Sequence, residues 1–256
     1  MEFEHILYSV ADRVATITLN RPDAMNAITV TMLKEAREAV KASGKSDDVD
    51  AIVITGSGRA FSAGLDLKEL NSRKSEEDSE VSGDVGDLVN GPARKLIKSI
   101  KKSSKPVIAQ VNGFCFTGAL ELVLACDLIW MAEEAKLGDT HAKFGLRPTW
   151  GMTGRLPAAL GIRKAKELAF TADTFTGKQA AEWGLANRAV PLAALDASVA
   201  ELTAKIVANS AGSISAYKYL YNKGGVQTEA DALELESKSE FDIEDTAERL
   251  ASFVKK

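Results

Sequence analysis

The chain has 256 residues, of which 45% are hydrophobic and 27% charged. These proportions are those of an ordinary globular protein with enough apolar material for one sizeable core. The net charge of −4 argues against a surface devoted to nucleic acid, because proteins that bind phosphate backbones usually carry a basic face.

The first half of the chain alternates strand and helix patterns. Residues 3–19 alternate apolar and polar side chains and predict two strands around a turn at Ala11–Asp12. RPDAMNAI leads into a helix predicted from Thr29 to about Ser43, ending at Gly44. AIVITG (51–56), PVIAQVNG (106–113) and DLIWMA (127–132) are unbroken apolar runs. Strands apolar throughout are typical of parallel sheets covered by helices, so this order indicates an α/β fold.

Three further segments have a distinct composition. Residues 72–87 are rich in charge, serine and glycine, and we expect a mobile surface loop there. Beyond Gly151 the pattern becomes helical, and residues 228–256 predict one amphipathic helix that is first acidic and then basic. Residues 113–132 approach the length of a membrane span, but Glu121 and Asp127 interrupt them, which favours a buried helix followed by a buried strand.

Cysteine and histidine are too sparse for a metal or disulfide framework. Cys115 and Cys126 form no C-x-x-C motif, so we expect reduced, buried thiols and a cytoplasmic protein. The only histidines, His5 and His141, have no metal-ligand spacing, and no metal is expected. The acidic N-terminus MEFEHILYSV does not have the pattern of a secretory signal, so no export is expected.

Two glycine-bearing loops each follow an apolar strand and lead into a helix, at residues 55–70 and 111–127. Such turns expose backbone N–H groups that suit an anion or an oxyanion. Taken singly, either loop could be an ordinary turn, because glycine-rich turns are common in α/β proteins. Neither loop contains G-x-x-x-x-G-K-[ST] or G-x-G-x-x-G, so nucleotide binding is not supported.

The two loops together resemble the crotonase superfamily, the enoyl-CoA hydratase and isomerase group, over almost the whole chain. The segments that carry the resemblance are LNRPDAMNAI, FSAGLDLKEL, NGFCFTGALELVLACDLIWMAEEAKLG, Phe144–Gly161 and TFTGKQAAEWGLANRAV. The resemblance implies an α/β fold built as a crotonase-like spiral of ββα units over residues 1–195. It also implies a C-terminal helical region over residues 196–256 for lid and subunit contacts, and a homotrimer or hexamer.

The resemblance also implies a site for an acyl-CoA thioester. The oxyanion donors would be the backbone N–H groups of Leu65 and Gly118. Glu121 takes the place of one of the two catalytic glutamates of the hydratases, and buried carboxylates seldom lack a purpose. His141 stands where the hydratases have their second glutamate, which is a departure from the family pattern, and Asp139 would orient its imidazole.

The remaining implied contacts belong to the substrate. The residues expected to bind its CoA or acyl part are Ala24, Met25, Ala63, Asp66, Lys68, Asp139 and Trp150. Coenzyme A is part of the substrate, and no separate cofactor is implied.

Hydration of a 2-enoyl-CoA thioester to a 3-hydroxyacyl-CoA, a step typical of fatty acid metabolism, is the predicted reaction. Glu121 would take a proton from the attacking water, while His141 would position that water or protonate the α-carbon. The alternatives are a thioester hydrolase, lyase or isomerase that uses His141, and a non-catalytic acyl-CoA-binding module. The basic run at residues 93–105 fits the solvated face of an amphipathic helix better than an RNA-binding surface, since it contains no aromatic residues.

Overall fold

The computed structural model describes residues 2–72, 85–225 and 227–254. Six strands of this part of the chain form one sheet in the order β1-β2-β3-β5-β7-β10. Their bounds are β1 (Ile6–Ala11), β2 (Val14–Leu19), β3 (Ala51–Gly56), β5 (Val107–Val111), β7 (Leu128–Ala132) and β10 (Arg188–Val190). Only β1 and β2 pair antiparallel, and the other neighbours in this sheet are parallel.

Four shorter strands form a second sheet in the order β4-β6-β8-β9. They are β4 (Ala60–Ser62), β6 (Phe114–Phe116), β8 (Lys136–Gly138) and β9 (Phe175–Thr176). The pairs β3/β4, β5/β6 and β7/β8 each send one strand into each sheet before the chain becomes helical. This repetition is the predicted spiral of ββα units, and the fold class is confirmed.

Helices cover the sheets and form the C-terminal part of the chain. They are α1 (Val30–Lys45), α2 (Leu67–Ser72), α3 (Asp87–Lys102), α4 (Gly118–Val123), α5 (Met152–Leu160), α6 (Ile162–Thr171), α7 (Gly177–Glu182), α8 (Leu192–Val207), α9 (Ala211–Gly224), α10 (Glu229–Lys238) and α11 (Thr246–Val254). Within the described residues, 3-10 helices span Pro22–Ala24 and His141–Phe144. The predicted domain boundary at residue 195 falls within α8, and that division stays a prediction.

Local sequence explains the main elements. All residues of β3 and β5 are buried, as expected for strands covered on both faces. The Thr29 side chain accepts a hydrogen bond from the Met32 N–H and so caps α1 at its first turn. Leu96 and Ile100 of α3 are buried while Lys98 is exposed, which confirms the predicted amphipathic helix.

Two predictions need correction or fall outside the description. The single helix predicted over residues 228–256 is wrong, because residues 239–245 separate α10 from α11. In this break the Asp245 carboxylate accepts a hydrogen bond from Ser210 Oγ at 2.6 Å, next to the start of α9. Of the loop predicted at residues 72–87, Ser72 ends α2 and Asp87 begins α3, and residues 73–84 lie outside the described residues.

A buried ion pair joins the C-terminal helices to the main sheet. Lys218 of α9 places its Nζ 2.6 Å from Asp127 Oδ2, just before β7, and donates to the carbonyl oxygens of Ile100 and Lys105 at 2.9 and 2.8 Å. Burial lowers the pKa of Lys218, while Asp127 opposes that shift. Because every ammonium proton has an acceptor, the charge is tolerated inside the protein.

The stretch examined as a membrane span, residues 113–132, consists of β6, α4 and β7. The interpretation as a buried helix followed by a strand is therefore confirmed. None of the helices in the described part of the chain combines the length and apolar character needed to cross a bilayer. Cys115 and Cys126 are free, buried thiols, as predicted.

Candidate active site

The first glycine-bearing loop continues from β4 to α2 and pairs with the segment before α1. Ile28 donates its N–H to Gly64 O at 2.7 Å, and Asp66 donates its N–H to Ile28 O at 2.9 Å. These two hydrogen bonds form a parallel bridge between Ile28 and Leu65. In such a bridge the N–H and C=O groups of Leu65 form no hydrogen bond with Ile28 and point away from it. The Leu65 N–H therefore faces the side on which β6 and the second loop lie.

The second loop brings Gly118 up against the first. Thr117, with φ 48° and ψ −115°, turns the chain sharply between β6 and α4. A Cβ placed on Gly64 would lie 2.3 Å from Thr117 Oγ1 and 2.9 Å from Phe116 O, so only glycine allows this approach. Gly118 begins α4, and the first N–H groups of a helix have no partner within it. Over residues 2–72, 85–225 and 227–254, neither the Leu65 nor the Gly118 N–H donates to a protein acceptor.

Both loops open onto one cavity of about 90 Å³. Its described lining consists of Ala63, Leu65, Leu67, Val85, Thr117, Gly118, Glu121, Thr140, His141, Phe144, Leu146, Arg147, Thr149 and Trp150. Seven of these residues have aliphatic or aromatic side chains, and the polar part of the lining includes Glu121 and His141. The cavity thus combines an apolar wall with a small polar centre, which is the usual character of a ligand site.

Glu121 lies in the first turn of α4 and is 1% exposed. Its Oε1 accepts hydrogen bonds from the backbone N–H groups of Trp150 and Met152, at 2.8 and 3.0 Å. Burial raises the pKa of Glu121, and the hydrogen bonds from Met152 and Trp150, together with His141, oppose that rise. These contacts fix the carboxylate through Oε1 and leave Oε2 for a second partner.

His141 is that partner, and Asp139 holds it in place. His141 Nδ1 lies 2.6 Å from Asp139 Oδ1, and since an ionised carboxylate only accepts hydrogen bonds, Nδ1 carries the proton. Nε2, the other ring nitrogen, lies 3.6 Å from Glu121 Oε2. This distance exceeds a direct hydrogen bond, but both atoms could contact one water molecule between them.

Trp150 closes the cavity beside Gly118. A Cβ placed on Gly118 would lie 2.5 Å from Cζ3 of the Trp150 indole. Gly151, with φ 117°, turns the chain so that the N–H groups on both sides of it point at Glu121. The Trp150 carbonyl accepts a hydrogen bond from Arg155 Nη1 at 2.8 Å. Trp150 therefore contributes its backbone to the carboxylate and its ring to the cavity wall.

Six of the eleven predicted site residues line the cavity, Asp139 reaches it through its contact with His141, and four lie elsewhere. Met25 O accepts a hydrogen bond from Ala63 N at 2.9 Å, so Ala24 and Met25 lie behind the first loop. Asp66 accepts from Lys68 N and Glu69 N and pairs with Arg21 at 2.9 Å, and Lys68 is exposed. Their predicted contacts with CoA stay predictions.

Two groups that shape the site were not predicted. The backbone N–H groups of Trp150 and Met152 hold Glu121, and any residue type could supply them, so the sequence carries no direct signal except Gly151 between them. Asn90 of α3 accepts hydrogen bonds from Thr149 and Trp150 across 59 and 60 residues of sequence, a separation at which no motif connects them.

Comparison with known proteins identifies a matching family and several relatives of this chain. A family model described as "Enoyl-CoA hydratase/isomerase" matches residues 10–256. A protein named crotonyl-CoA hydratase from Syntrophomonas wolfei is 33% identical, with 100% of this chain and 97% of the relative covered. A protein named short-chain-enoyl-CoA hydratase from Clostridium acetobutylicum is 31% identical with the same coverage.

Solved structures agree with the sequence relatives. The crystal structure of an enoyl-CoA hydratase from Bacillus anthracis superposes with a TM-score of 0.89 at 28% identity, covering 98% of this chain and 96% of that one. An enoyl-CoA hydratase subunit from Geobacillus kaustophilus superposes with a TM-score of 0.87, also at 28% identity, covering 100% and 96%. The similarity therefore extends over the C-terminal helices as well as the two sheets.

Proposed function

The chain belongs to the enoyl-CoA hydratase/isomerase family, and from this premise we propose that it hydrates a 2-enoyl-CoA thioester to the 3-hydroxyacyl-CoA. One observation carries the proposal. Glu121, a buried carboxylate with one oxygen bound by backbone amides, presents its other oxygen to His141 in the cavity that contains Leu65 and Gly118. Coenzyme A is part of the substrate, and we propose no other cofactor.

The reaction follows from these positions. We propose that the thioester oxygen accepts hydrogen bonds from the N–H groups of Leu65 and Gly118. Glu121 takes a proton from water as the water oxygen bonds to the β-carbon and the electron pair of the double bond moves toward the thioester oxygen. The enolate that forms carries its charge between the two amides, where fixed donors stabilise it more than the substrate carbonyl.

A proton then returns to the α-carbon as the thioester carbonyl forms again, which completes the addition of water. His141 has one of two roles in this cycle. Its Nε2 either accepts a hydrogen bond from the attacking water or relays the proton from Glu121 to the α-carbon, over the 3.6 Å gap between them. In both roles Asp139 keeps Nδ1 protonated and Nε2 directed at Glu121.

The test of the proposed function is incubation with crotonyl-CoA. Loss of the absorbance of the conjugated thioester, with formation of 3-hydroxybutyryl-CoA, is the expected result. Release of free CoA thiol, detected with a thiol reagent, would instead support the hydrolase alternative. Binding of the thioester without turnover, at several acyl chain lengths, would support a binding module.

Replacing His141 with alanine is expected to reduce kcat for hydration by about 10²-fold to 10³-fold, within the range of general acid–base catalysis. His141→Gln separates its two roles, since the glutamine side chain forms hydrogen bonds but does not relay protons at neutral pH. Recovery of at least tenfold in His141→Gln over His141→Ala indicates that water positioning dominates. Near-normal turnover of His141→Ala would contradict any direct role.

We also propose that the protein forms a homotrimer, or a hexamer of two trimers, and works in the cytoplasm. Large apolar side chains are exposed on α9, α10 and α11, among them Tyr221 and Leu250, and such surfaces often mark contacts between subunits. The two free thiols fit a reducing compartment. Light scattering coupled to size-exclusion chromatography tests the assembly, and a monomer at micromolar concentration would refute it.

A further inference from the structure

The turn at residues 149–152 supplies both backbone donors to Glu121, so whatever holds this turn also holds the carboxylate. Its central residue, Trp150, is fixed at several points. The Trp150 carbonyl accepts from Arg155, its N–H donates to Glu121, and its indole Nε1 donates to Asn90 Oδ1 at 2.8 Å. The last contact ties the turn to α3, a separate element.

Asn90 makes this connection from inside the protein. It lies in the first turn of α3 and is 1% exposed. Its Oδ1 also accepts a hydrogen bond from Thr149 Oγ1 at 2.8 Å, so one buried oxygen receives donors from two consecutive residues of the turn. A buried acceptor with two donors restricts both side chains, because neither donor finds a replacement partner in an apolar interior.

We propose that Asn90 is a positioning residue of the reaction, an inference that rests on the proposed hydration. Asn90 fixes the Trp150 indole and, through Trp150, it fixes the Glu121 carboxylate and the cavity wall beside Gly118. Asn90 does not line the described part of the cavity, so it acts through the turn and not on the substrate.

Both effects of Asn90, on the Glu121 carboxylate and on the wall beside Gly118, act through Trp150. Moving the indole moves the Trp150 backbone, whose N–H is 2.8 Å from Glu121 Oε1. The same ring lies against Gly118, where an added Cβ would come within 2.5 Å of it. A shift of a few tenths of an ångström in Trp150 therefore changes both the carboxylate and the wall beside an oxyanion donor.

The protonation of Glu121 reports this link. Among the described residues, the charged or titratable groups that act on Glu121 are His141, Asp139 and Arg155 of α5, and Arg147 lines the same cavity. The Trp150 N–H opposes the rise in the pKa of Glu121 caused by burial. Loosening Trp150 removes part of this opposition, so the pKa of Glu121 rises further and the carboxylate is lost at a higher pH.

The decisive variant is Asn90→Leu, which keeps a side chain of similar size and removes the acceptor. We expect kcat to fall about tenfold to a hundredfold with KM changed less than about threefold. The acid limb of the pH profile of kcat/KM is expected to move to higher pH, since Glu121 must be ionised to accept a proton. Ser99→Ala, on the same helix but outside the site, is the matched control and is expected to leave rate and profile unchanged.

A double-mutant cycle distinguishes positioning from a general structural role. Trp150→Phe removes the indole donor together with part of the ring beside Gly118. Because Asn90 acts through that indole, Asn90→Leu/Trp150→Phe is expected to be within about threefold of Trp150→Phe. Losses that multiply, or an unchanged acid limb in Asn90→Leu, would overturn the proposal. If Asn90→Leu does not fold, Trp150→Phe carries the test, because its acid limb must move in the same direction.

Failure of the proposed function is separable from failure of this inference. If the wild-type protein does not hydrate enoyl-CoA, the proposed reaction fails while Asn90 remains testable by titrating the Glu121 carboxyl carbon with 13C NMR. A higher pKa of Glu121 in Asn90→Leu than in the wild-type protein supports the positioning role without turnover. An unchanged titration refutes it.

Discussion

Replacing Glu121 with glutamine is expected to reduce the rate of crotonyl-CoA hydration by about 10³-fold, within the 10²-fold to 10⁴-fold range of general acid–base catalysis. Glutamine keeps an oxygen that accepts from Trp150 and Met152 but replaces the oxygen facing His141 with an amide nitrogen. The variant therefore retains the fold and loses the base. The measurement is kcat and KM from the decrease in thioester absorbance.

The control for this variant is Glu182→Gln, which alters an exposed carboxylate at the end of α7. It is expected to match the wild-type protein in rate and in urea unfolding. KM in Glu121→Gln is expected to stay within a few-fold, since in the proposed mechanism Glu121 acts on water and not on CoA. Turnover within tenfold of wild type would remove Glu121 from the mechanism.

Replacing Gly118 with alanine is expected to reduce kcat by about 10²-fold to 10³-fold, the usual effect of losing one oxyanion donor. The added methyl group would lie 2.5 Å from Cζ3 of Trp150, so either the ring or the start of α4 must move. Movement of α4 displaces the Gly118 N–H, the proposed donor to the thioester oxygen, and movement of the ring disturbs the Trp150 N–H that binds Glu121. The loss should appear in kcat more than in KM, because the enolate requires this donor more than the substrate does.

Gly154→Ala is the matched control, since a Cβ there meets nothing within 4 Å. The cause of the loss is tested by combining Gly118→Ala with Trp150→Leu, which makes room for the methyl group. Partial recovery relative to Gly118→Ala would assign the loss to the clash with the indole. Wild-type turnover in Gly118→Ala would show that this amide is not an oxyanion donor.

Much of this architecture could be predicted from the sequence because burial leaves a direct pattern. The apolar runs at 51–56, 106–113 and 127–132 became β3, β5 and β7, since a strand covered on both faces tolerates few polar residues. The short strands β8, β9 and β10, with two or three residues each, carry too little pattern to be recognised. The prediction of a single C-terminal helix was wrong because the amphipathic period of this segment continues across the break at residues 239–245.

Part of the candidate site could likewise be predicted from the sequence, and part of it could not. Asp139 and His141 are two residues apart, so their contact was a local expectation that the geometry matches. Glu121 was recognised from its apolar neighbours and from the resemblance. The turn that holds it could not be found, because backbone N–H groups have no residue identity and Asn90 contacts Trp150 across 60 residues of sequence.

The bridge between Ile28 and Leu65 separates two properties that most binding loops combine. The direction of the Leu65 amide is set by hydrogen bonds that its neighbours Gly64 and Asp66 make to Ile28, while the Leu65 side chain lines the cavity. Selection can therefore change residue 65 to admit acyl groups of another shape without disturbing the proposed oxyanion donor. Under the proposed mechanism, acyl specificity and stabilisation of the enolate can therefore evolve independently at this one position.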